Sequence, residues 1–346
     1  MHTPNWESIN SNLQGKVNLA REEAAWAMQE MMSGNTPSET IKTFLLNMNE
    51  KSPTSEEIAG LVDAMLKNAT KISITDQAID IVGTGGDKAG TINISKASAL
   101  VVAAAGQGVI KHGNRAASSK TGSADVLEEM GLNLNLTSEQ VADCFKENNI
   151  TFCFAPVFHP AMRHVASVRK ELNVPTVFNV LGPLANPAQP IAQATGVSNL
   201  NMAPLMAEVF AKRGTRALVM RGLDGLDEMS IVTDTQVWDT REGKVRLELF
   251  ELSRLKINPA TLAELRGGEK AENSRILKAA LNNQASDAVL NAIALNSAAA
   301  FVAMQDPDQE MSKQLIAGFE KARDVLASKK ASDLLERWIS WTKLAA

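Results

Sequence analysis

The chain is poor in aromatic and sulfhydryl side chains, with 4% aromatics, no tyrosine and two cysteines in 346 residues. Cys144 and Cys153 form neither a CxxC pair nor the dense framework of a small secreted domain, so two buried thiols are expected rather than a disulfide scaffold. A surplus of positive charge is also missing. With a formal net charge of -4 and a pI near 5.7, the chain lacks the electrostatic footprint of a nucleic-acid or anionic-membrane partner. No uninterrupted apolar stretch approaches the roughly 20 residues of a bilayer span, and the alanine-rich run 97–105 stops at Gly106. The opening MHTPNWESIN has no cationic and apolar leader pattern, so a cytoplasmic protein is expected. Soft-metal spacing is absent too: His159 and His164 are five apart, wrong for one helical face, and no cysteine lies at zinc spacing.

What remains is length and pattern. A chain of 346 residues with 45% hydrophobic content exceeds the size at which single cores usually divide, so two domains are expected. The first seventy residues carry helix signals and almost no strand signals. Thr36 with Glu39 reads as a capping box with Pro37 at the first helical position, leading into Ile41, Phe44, Leu45 and Met48. Thr54 with Glu57 repeats the device before the stripe Ile58, Leu61, Val62 and Met65. From Ala78 the text changes to short β-branched runs alternating with helical segments, the signature of an α/β sheet with crossover helices. Strands are expected at 78–82, 108–111, 150–154, 192–197 and 215–220, with helices at 95–105, 123–130, 138–147 and 200–213. Val237–Trp238 and 245–249 form an expected hairpin, and helix returns beyond about 258, including 287–302 and 311–327. The fold class is therefore α/β: a small N-terminal helical domain followed by a large domain whose central mixed, mainly parallel sheet is flanked by helices.

Residues 80–95, DIVGTGGDKAGTINIS, describe a phosphate cradle. A strand gives way to Gly83, Gly85 and Gly86, which permit a tight turn whose backbone amides face an anion. Ser95 then stands where an apolar helix begins, its N-terminal dipole favouring negative charge. Two common phosphate motifs fail here. Lys88 occupies the third-glycine position of the dinucleotide fingerprint, and a P-loop needs Gly followed by Lys-Ser/Thr, whereas Lys88 is followed by Ala89. A second charged segment, KHGNRAASSKTGSAD at 111–125, places Lys111 at the end of a strand, where its point charge suits a phosphate. Asp227 and Glu228 in DGLDE are adjacent carboxylates in a glycine-containing loop, hard oxygen ligands of the type magnesium takes.

These motifs, with FAPVFHPAMRHVASVRKEL at 154–172 and FNVLGPLANPA at 178–188, resemble in order and content the anthranilate phosphoribosyltransferase family, from the first strand to Glu228. The resemblance implies transfer of the 5-phosphoribosyl group from phosphoribosyl diphosphate to the amine of anthranilate, the second step of tryptophan biosynthesis from chorismate. It implies a donor site of Gly83, Thr84, Gly85, Gly86, Asp87, Thr91, Asn93, Ser95, Lys96, Lys111 and Ser119. The implied anthranilate site is Gly83, His112, Asn114, His159, Arg169, Gly182 and Pro183, with Arg169 gripping the carboxylate. Magnesium, two ions per subunit, is implied at Ser95, Asp227 and Glu228. No certain catalytic residue is implied, only transition-state stabilisation by Lys111 and magnesium. The family's domain division would be 1–72, with a contribution from about 163–188, and 73–346, with the site in the cleft between and a homodimer contact through the helical domain. Lys96, where threonine is common, and Ser167, where proline is common, depart from the family pattern. The first bears on phosphate contacts, the second on the helix carrying Arg169.

Anthranilate's aromatic amine is unprotonated at neutral pH, which agrees with the lack of a catalytic triad. The chemistry the resemblance implies is magnesium-assisted departure of pyrophosphate through an oxocarbenium-like state. Two rivals are weighed against it. A pyrimidine nucleoside phosphorylase-like enzyme of the same architecture is opposed by KHGNR and LGPLANP. A nucleic-acid-binding relative should be basic, and this chain is slightly acidic.

Overall fold

A computed structural model of the chain describes residues 4–115 and 122–345. Four helices come first: α1 (Trp6–Gln14), α2 (Arg21–Ser33), α3 (Ser38–Lys51) and α4 (Ser55–Lys67). The Thr54–Glu57 box forms as expected at the start of α4. Glu57, fully buried, also accepts from the Leu19 amide at 2.8 Å and pairs with Lys51 at 2.8 Å, so the box fastens three segments together. The Thr36–Glu39 box does not form. Pro37 takes the N-cap position of α3, and the Thr36 hydroxyl turns back to donate to the Glu30 carbonyl at 2.9 Å. The Glu30 carbonyl thus takes the hydroxyl that a capping box would turn toward the helix.

The remaining chain alternates as the period of its apolar residues demands. It runs β1 (Ile79–Gly83), α5 (Ile94–Ala104), β2 (Val109–Gly113), α6 (Ser123–Met130), α7 (Ser138–Asn148), β3 (Ile150–Phe154), α8 (Ala155–Phe158), α9 (Arg163–Leu172), α10 (Phe178–Leu184) and β4 (Ala192–Gly196). It continues α11 (Ala203–Lys212), β5 (Arg216–Gly222), β6 (Thr235–Asp239), β7 (Arg246–Phe250), α12 (Lys270–Leu281), α13 (Asp287–Met304), α14 (Met311–Ala327) and α15 (Lys330–Leu344). Among the described residues seven strands pair in the order β3-β2-β1-β4-β5-β6-β7. The first five are parallel, and β6 and β7 add an antiparallel hairpin at the edge, giving the mixed, mainly parallel sheet the sequence implies.

Strand order turns at β1: the chain moves outward through β2 and β3, then returns to lay β4 on the other side. The crevice beyond the C-terminal ends of β1 and β4 is where open α/β sheets place ligands. Gly83 and Gly196 end these two strands and lie in register opposite each other.

Two large apolar clusters flank the sheet. One joins α5, α13 and α14 to the inner strands; the other joins α1 to α4 with α9, α10, α11, the opposite face of β5, Trp238 of β6 and Val197 just after β4. The helical domain is thus cemented to the sheet through segments that follow residue 163. α13 is an 18-residue helix apolar enough by length and composition to cross a membrane, but 83% of it is buried within the fold. Cys144 and Cys153 are buried free thiols, and burial pushes the pKa of the first up to about 11.

Candidate functional site

The glycine loop leaves β1 as the sequence implies. Gly85 and Gly86 have φ of 69° and 86°, left-handed conformations that a side chain would strain. A Cβ on Gly85 or Gly90 would meet nothing within 4 Å, so the loop borders open space. Its base is pinned by the Thr84 amide, which donates to the Gly196 carbonyl at 3.0 Å, and by the Ser198 hydroxyl, which donates to the Gly85 carbonyl at 2.7 Å. Asp87 accepts from the Ala89 amide at 3.1 Å and so shapes the loop. Thr91 bridges to Arg266, and Asn93, the N-cap residue of α5, accepts from Asn273 at 3.0 Å. Ser95 and Lys96 lie in the first turn of α5, where the helix dipole favours anions.

Asp227 and Glu228 converge on this loop from the connection after β5. The Gly85 amide donates to Asp227 Oδ2 at 2.7 Å. Far from facing solvent, as an acidic loop usually would, Asp227 is buried, and burial with the neighbouring Asp87 charge pushes its carboxyl up to about 7. Burial and the adjacent Asp227 charge raise Glu228 to about 8, against the pull of Lys96 and Lys111. Two crowded carboxyls that resist losing both protons are what a dication relieves. Among the described residues no group of three or more His, Cys, Asp or Glu makes a closed cage. Two carboxylates and the Ser95 hydroxyl instead fit magnesium, a hard cation that usually completes its octahedron with substrate phosphates and water.

Lys111 lies in the middle of β2, not at its end, because the strand continues through His112 to Gly113. Its side chain is 1% exposed, and Nζ donates to the Ile81 carbonyl. Burial lowers its pKa, while Asp80 and Glu228 pull it back up. Asp80 and Glu228 are thus the carboxylates whose field this buried amine feels. Lys96 is lowered to about 8 by burial and by the Lys111 charge.

The second half of the site gathers at α10. His112 and His159 rings lie 5.2 Å apart. His112 Nδ1 is 3.1 Å from the Gly182 carbonyl, which fixes that nitrogen as the donor; Nε2 is buried with no hydrogen-bond partner among the described residues. Burial, with the His159 ring beside it, lowers His112 to about 3. His159 Nε2 donates to the Ala185 carbonyl at 2.8 Å and so fastens the residue that caps α10. A Cβ on Gly182 would meet nothing within 4 Å, and Pro183 follows it, buried, inside the helix.

Arg169, near the end of α9, stacks on Phe178 with its guanidinium carbon 5.0 Å from the ring centre. Among the described residues it has no carboxylate partner, and burial lowers its pKa. A half-buried cation without a counterion is prepared for an anionic ligand. Asn114 is exposed and accepts from the Arg115 amide at 2.8 Å. Ser119 lies outside the described residues.

Sequence reasoning missed four residues. Gly196 makes room for the Asp227 backbone, Asn273 ties Asn93 to α12, and Asp80 and Asn186 join β1 to the turn after α10. Asp80 opens the motif DIVGTGGD and Asn186 closes LGPLAN, so both stood beside residues whose role was legible. Neither advertises its partner.

Residues 7–69 match the helical bundle domain of a glycosyl transferase family, and residues 75–332 match its a/b domain. The chain is 45% identical over 339 residues to the anthranilate phosphoribosyltransferase of Arthrobacter sp. (strain FB24), covering 98% of this chain and 96% of that one. The crystal structure of anthranilate phosphoribosyltransferase from Thermus thermophilus superposes with a TM-score of 0.89 at 37% identity, over 97% of this chain and 99% of that one. The Saccharomyces cerevisiae enzyme in complex with PRPP and Mg gives a TM-score of 0.87 at 27% identity, covering 98% of both chains. The yeast enzyme has also been solved in complex with 4-fluoroanthranilate, with a TM-score of 0.85 at 26% identity and 98% of both chains covered.

Proposed function

The chain belongs to the anthranilate phosphoribosyltransferases of that glycosyl transferase family, and from this premise we propose how its own residues divide the work. The reaction is anthranilate phosphoribosyl transfer in tryptophan biosynthesis: anthranilate and phosphoribosyl diphosphate give N-(5-phosphoribosyl)anthranilate and pyrophosphate.

The donor lies over Gly83, Thr84, Gly85, Gly86, Asp87, Thr91, Asn93, Ser95 and Lys96, its diphosphate facing the loop amides and the N-terminus of α5. Anthranilate lies against His112, Asn114, Gly182 and Pro183, its carboxylate toward Arg169. His159 keeps the wall in place. One observation carries this reading: Asp227 is hydrogen-bonded to the donor loop itself, through the Gly85 amide at 2.7 Å, so the carboxylate pair and the phosphate cradle are one unit.

Asp227, Glu228 and the Ser95 hydroxyl would hold magnesium, two ions in our reading. When bound, the metal supplies charge stabilisation to the departing pyrophosphate. The protein's task is to separate charge. Loop amides and the α5 dipole stabilise the anionic side, and the carboxylates with buried Lys111 set the field around the ribosyl ring. Anthranilate's amine attacks the anomeric carbon as the bond to pyrophosphate breaks, and a proton leaves the nitrogen afterwards. Nε2 of His112, neutral and without a partner among the described residues, is the polar group we assign to the amine end of anthranilate.

The domain division at residue 72, with 163–188 joined to the helical domain, is supported by the packing of α9 on α2 and α3. Homodimerisation through that domain is supported by Leu46 and Val17, apolar side chains 47% and 54% exposed on its surface. A cytoplasmic location completes the reading. Purified protein with anthranilate, phosphoribosyl diphosphate and magnesium should quench anthranilate fluorescence catalytically. Absence of turnover would remove the assignment, and light scattering of the purified chain checks the dimer.

A further inference from the structure

The turn that ends α10 is held from four directions. Pro183 removes an amide from a seven-residue helix, and the last carbonyls of any helix lack intrahelical partners. Here other elements supply the partners. The Gly182 carbonyl faces His112 Nδ1 at 3.1 Å, the Leu184 carbonyl accepts from Arg213 Nη1 at 2.9 Å, and the Ala185 carbonyl accepts from His159 Nε2 at 2.8 Å. Asn186 closes the set. Its Nδ2 donates to Asp80 Oδ2 at 2.9 Å and to the Ile110 carbonyl at 2.8 Å, while its Oδ1 accepts from the Ala188 amide at 3.0 Å.

Asp80 has no solvent exposure, and its other oxygen accepts from the His112 amide at 3.3 Å. One carboxylate on β1 therefore fixes both the His112 backbone and the far end of the 182–186 turn. Three residues further along the same strand, Gly83 opens the diphosphate loop. At about 3.3 Å per strand residue, the two anchor points are roughly 10 Å apart along a rigid element. A carboxylate this deep costs desolvation, and burial pushes it up to about 6 despite Lys111 and Asn186. An apolar side chain would avoid that cost but could not direct the turn.

We propose that Asp80 and Asn186 are positioning residues that hold the Gly182–Pro183 wall of the anthranilate pocket in register with the donor loop, β1 being the spacer between the two substrates. The inference rests on the assignment of that wall to anthranilate. Neither residue touches substrate, since both are buried among protein partners, at 0% and 2% exposure.

The test compares steady-state kinetics of the wild-type enzyme, Asp80→Asn, Asn186→Ala, the double variant D80N/N186A and Asn186→Ser. Asn186→Ser leaves a hydroxyl to accept from the Ala188 amide but cannot reach Asp80. We expect Asn186→Ala, Asn186→Ser and Asp80→Asn each to raise the KM for anthranilate on the order of tenfold, while the KM for phosphoribosyl diphosphate stays within about twofold. The double variant should be no worse than the poorer single, the non-additivity of one shared contact. Equal rises in both KM values, additive effects, or unchanged kinetics would each overturn the proposal. Should the alanine variant fail to fold, the split between the two KM values in Asn186→Ser decides alone. Failure of the wild type to turn over would remove the functional assignment, and the proposal with it, whereas an active wild type with unsplit variants removes the proposal only.

Discussion

The backbone oxygen of Asp227 occupies the space in which a side chain at Gly196 would begin: a Cβ built there lies 1.6 Å from it. On the neighbouring strand, a Cβ at Gly83 would lie 2.2 Å from Asp227 Oδ2. The two glycines thus seat the same residue but meet different atoms of it. Gly196→Ala collides with backbone and should cost about 3 kcal/mol or more of stability. Gly83→Ala collides with the end of a side chain, so the protein should remain folded while the carboxylate turns away from the Gly85 amide. Thermal unfolding should separate the pair. Activity of the folded Gly83→Ala enzyme should need more magnesium than the wild type, and an unchanged titration would refute the seating argument.

Arg169 stacks on Phe178 and lacks a carboxylate partner among the described residues. Arg169→Ala should weaken use of anthranilate by about 2–3 kcal/mol, the loss of a charge-assisted pair, or roughly 30- to 150-fold in kcat/KM. Arg169→Lys should recover only part of this, because an ammonium cannot form the bidentate fork. Kinetics that vary anthranilate at saturating donor read the effect. A lysine variant equal to wild type would exclude bidentate recognition.

His112 ties acid stability to the anthranilate pocket. Its pKa is lowered to about 3 from the ordinary 6.5, chiefly by burial. A group whose folded pKa is depressed contributes stability that is present above pH 6.5 and is lost as pH falls toward 3. Asp80, raised to about 6, acts in the opposite sense, its contribution being lost as pH rises from about 4 to 6. The two must be separated by substitution. His112→Asn can still donate to the Gly182 carbonyl but does not titrate, so the fall in melting temperature from pH 6.5 to 4.5 should be shallower in the variant. An identical acid limb would show that the ring is not buried neutral.

The sequence was legible where a local rule controlled the outcome. Helix 123–130 and strand 150–154 match residue for residue, since each is bounded by its own turn signals and its side chains repeat at its own period. The Thr36 box failed because a neighbouring carbonyl, Glu30, outcompeted the helix for the hydroxyl. Helix α10 was hidden because glycine and proline within FNVLGPL disguise a segment whose C-terminal end is held by distant His112, Arg213 and His159. Lys111 looked like a strand-end phosphate ligand because burial depth is a property of the sheet order, which no local pattern encodes.

The carboxylate pair gives the remaining prediction. Asp227 and Glu228 are both held above their ordinary pKa values by burial and by nearby negative charge, so removing charge from them should not unfold the protein. Asp227→Asn with Glu228→Gln keeps shape and removes the dication's ligands. Melting temperature in chelator should therefore equal or exceed that of the wild type, because the buried repulsion is gone. Activity should fall by at least about a hundredfold, the scale of a lost electrostatic stabiliser in the transition state. Magnesium should raise the melting temperature of the wild type with phosphoribosyl diphosphate present and leave the double variant unmoved. A variant less stable than wild type without metal would mean that the carboxylates are structural, and a magnesium response preserved in it would place the ion elsewhere.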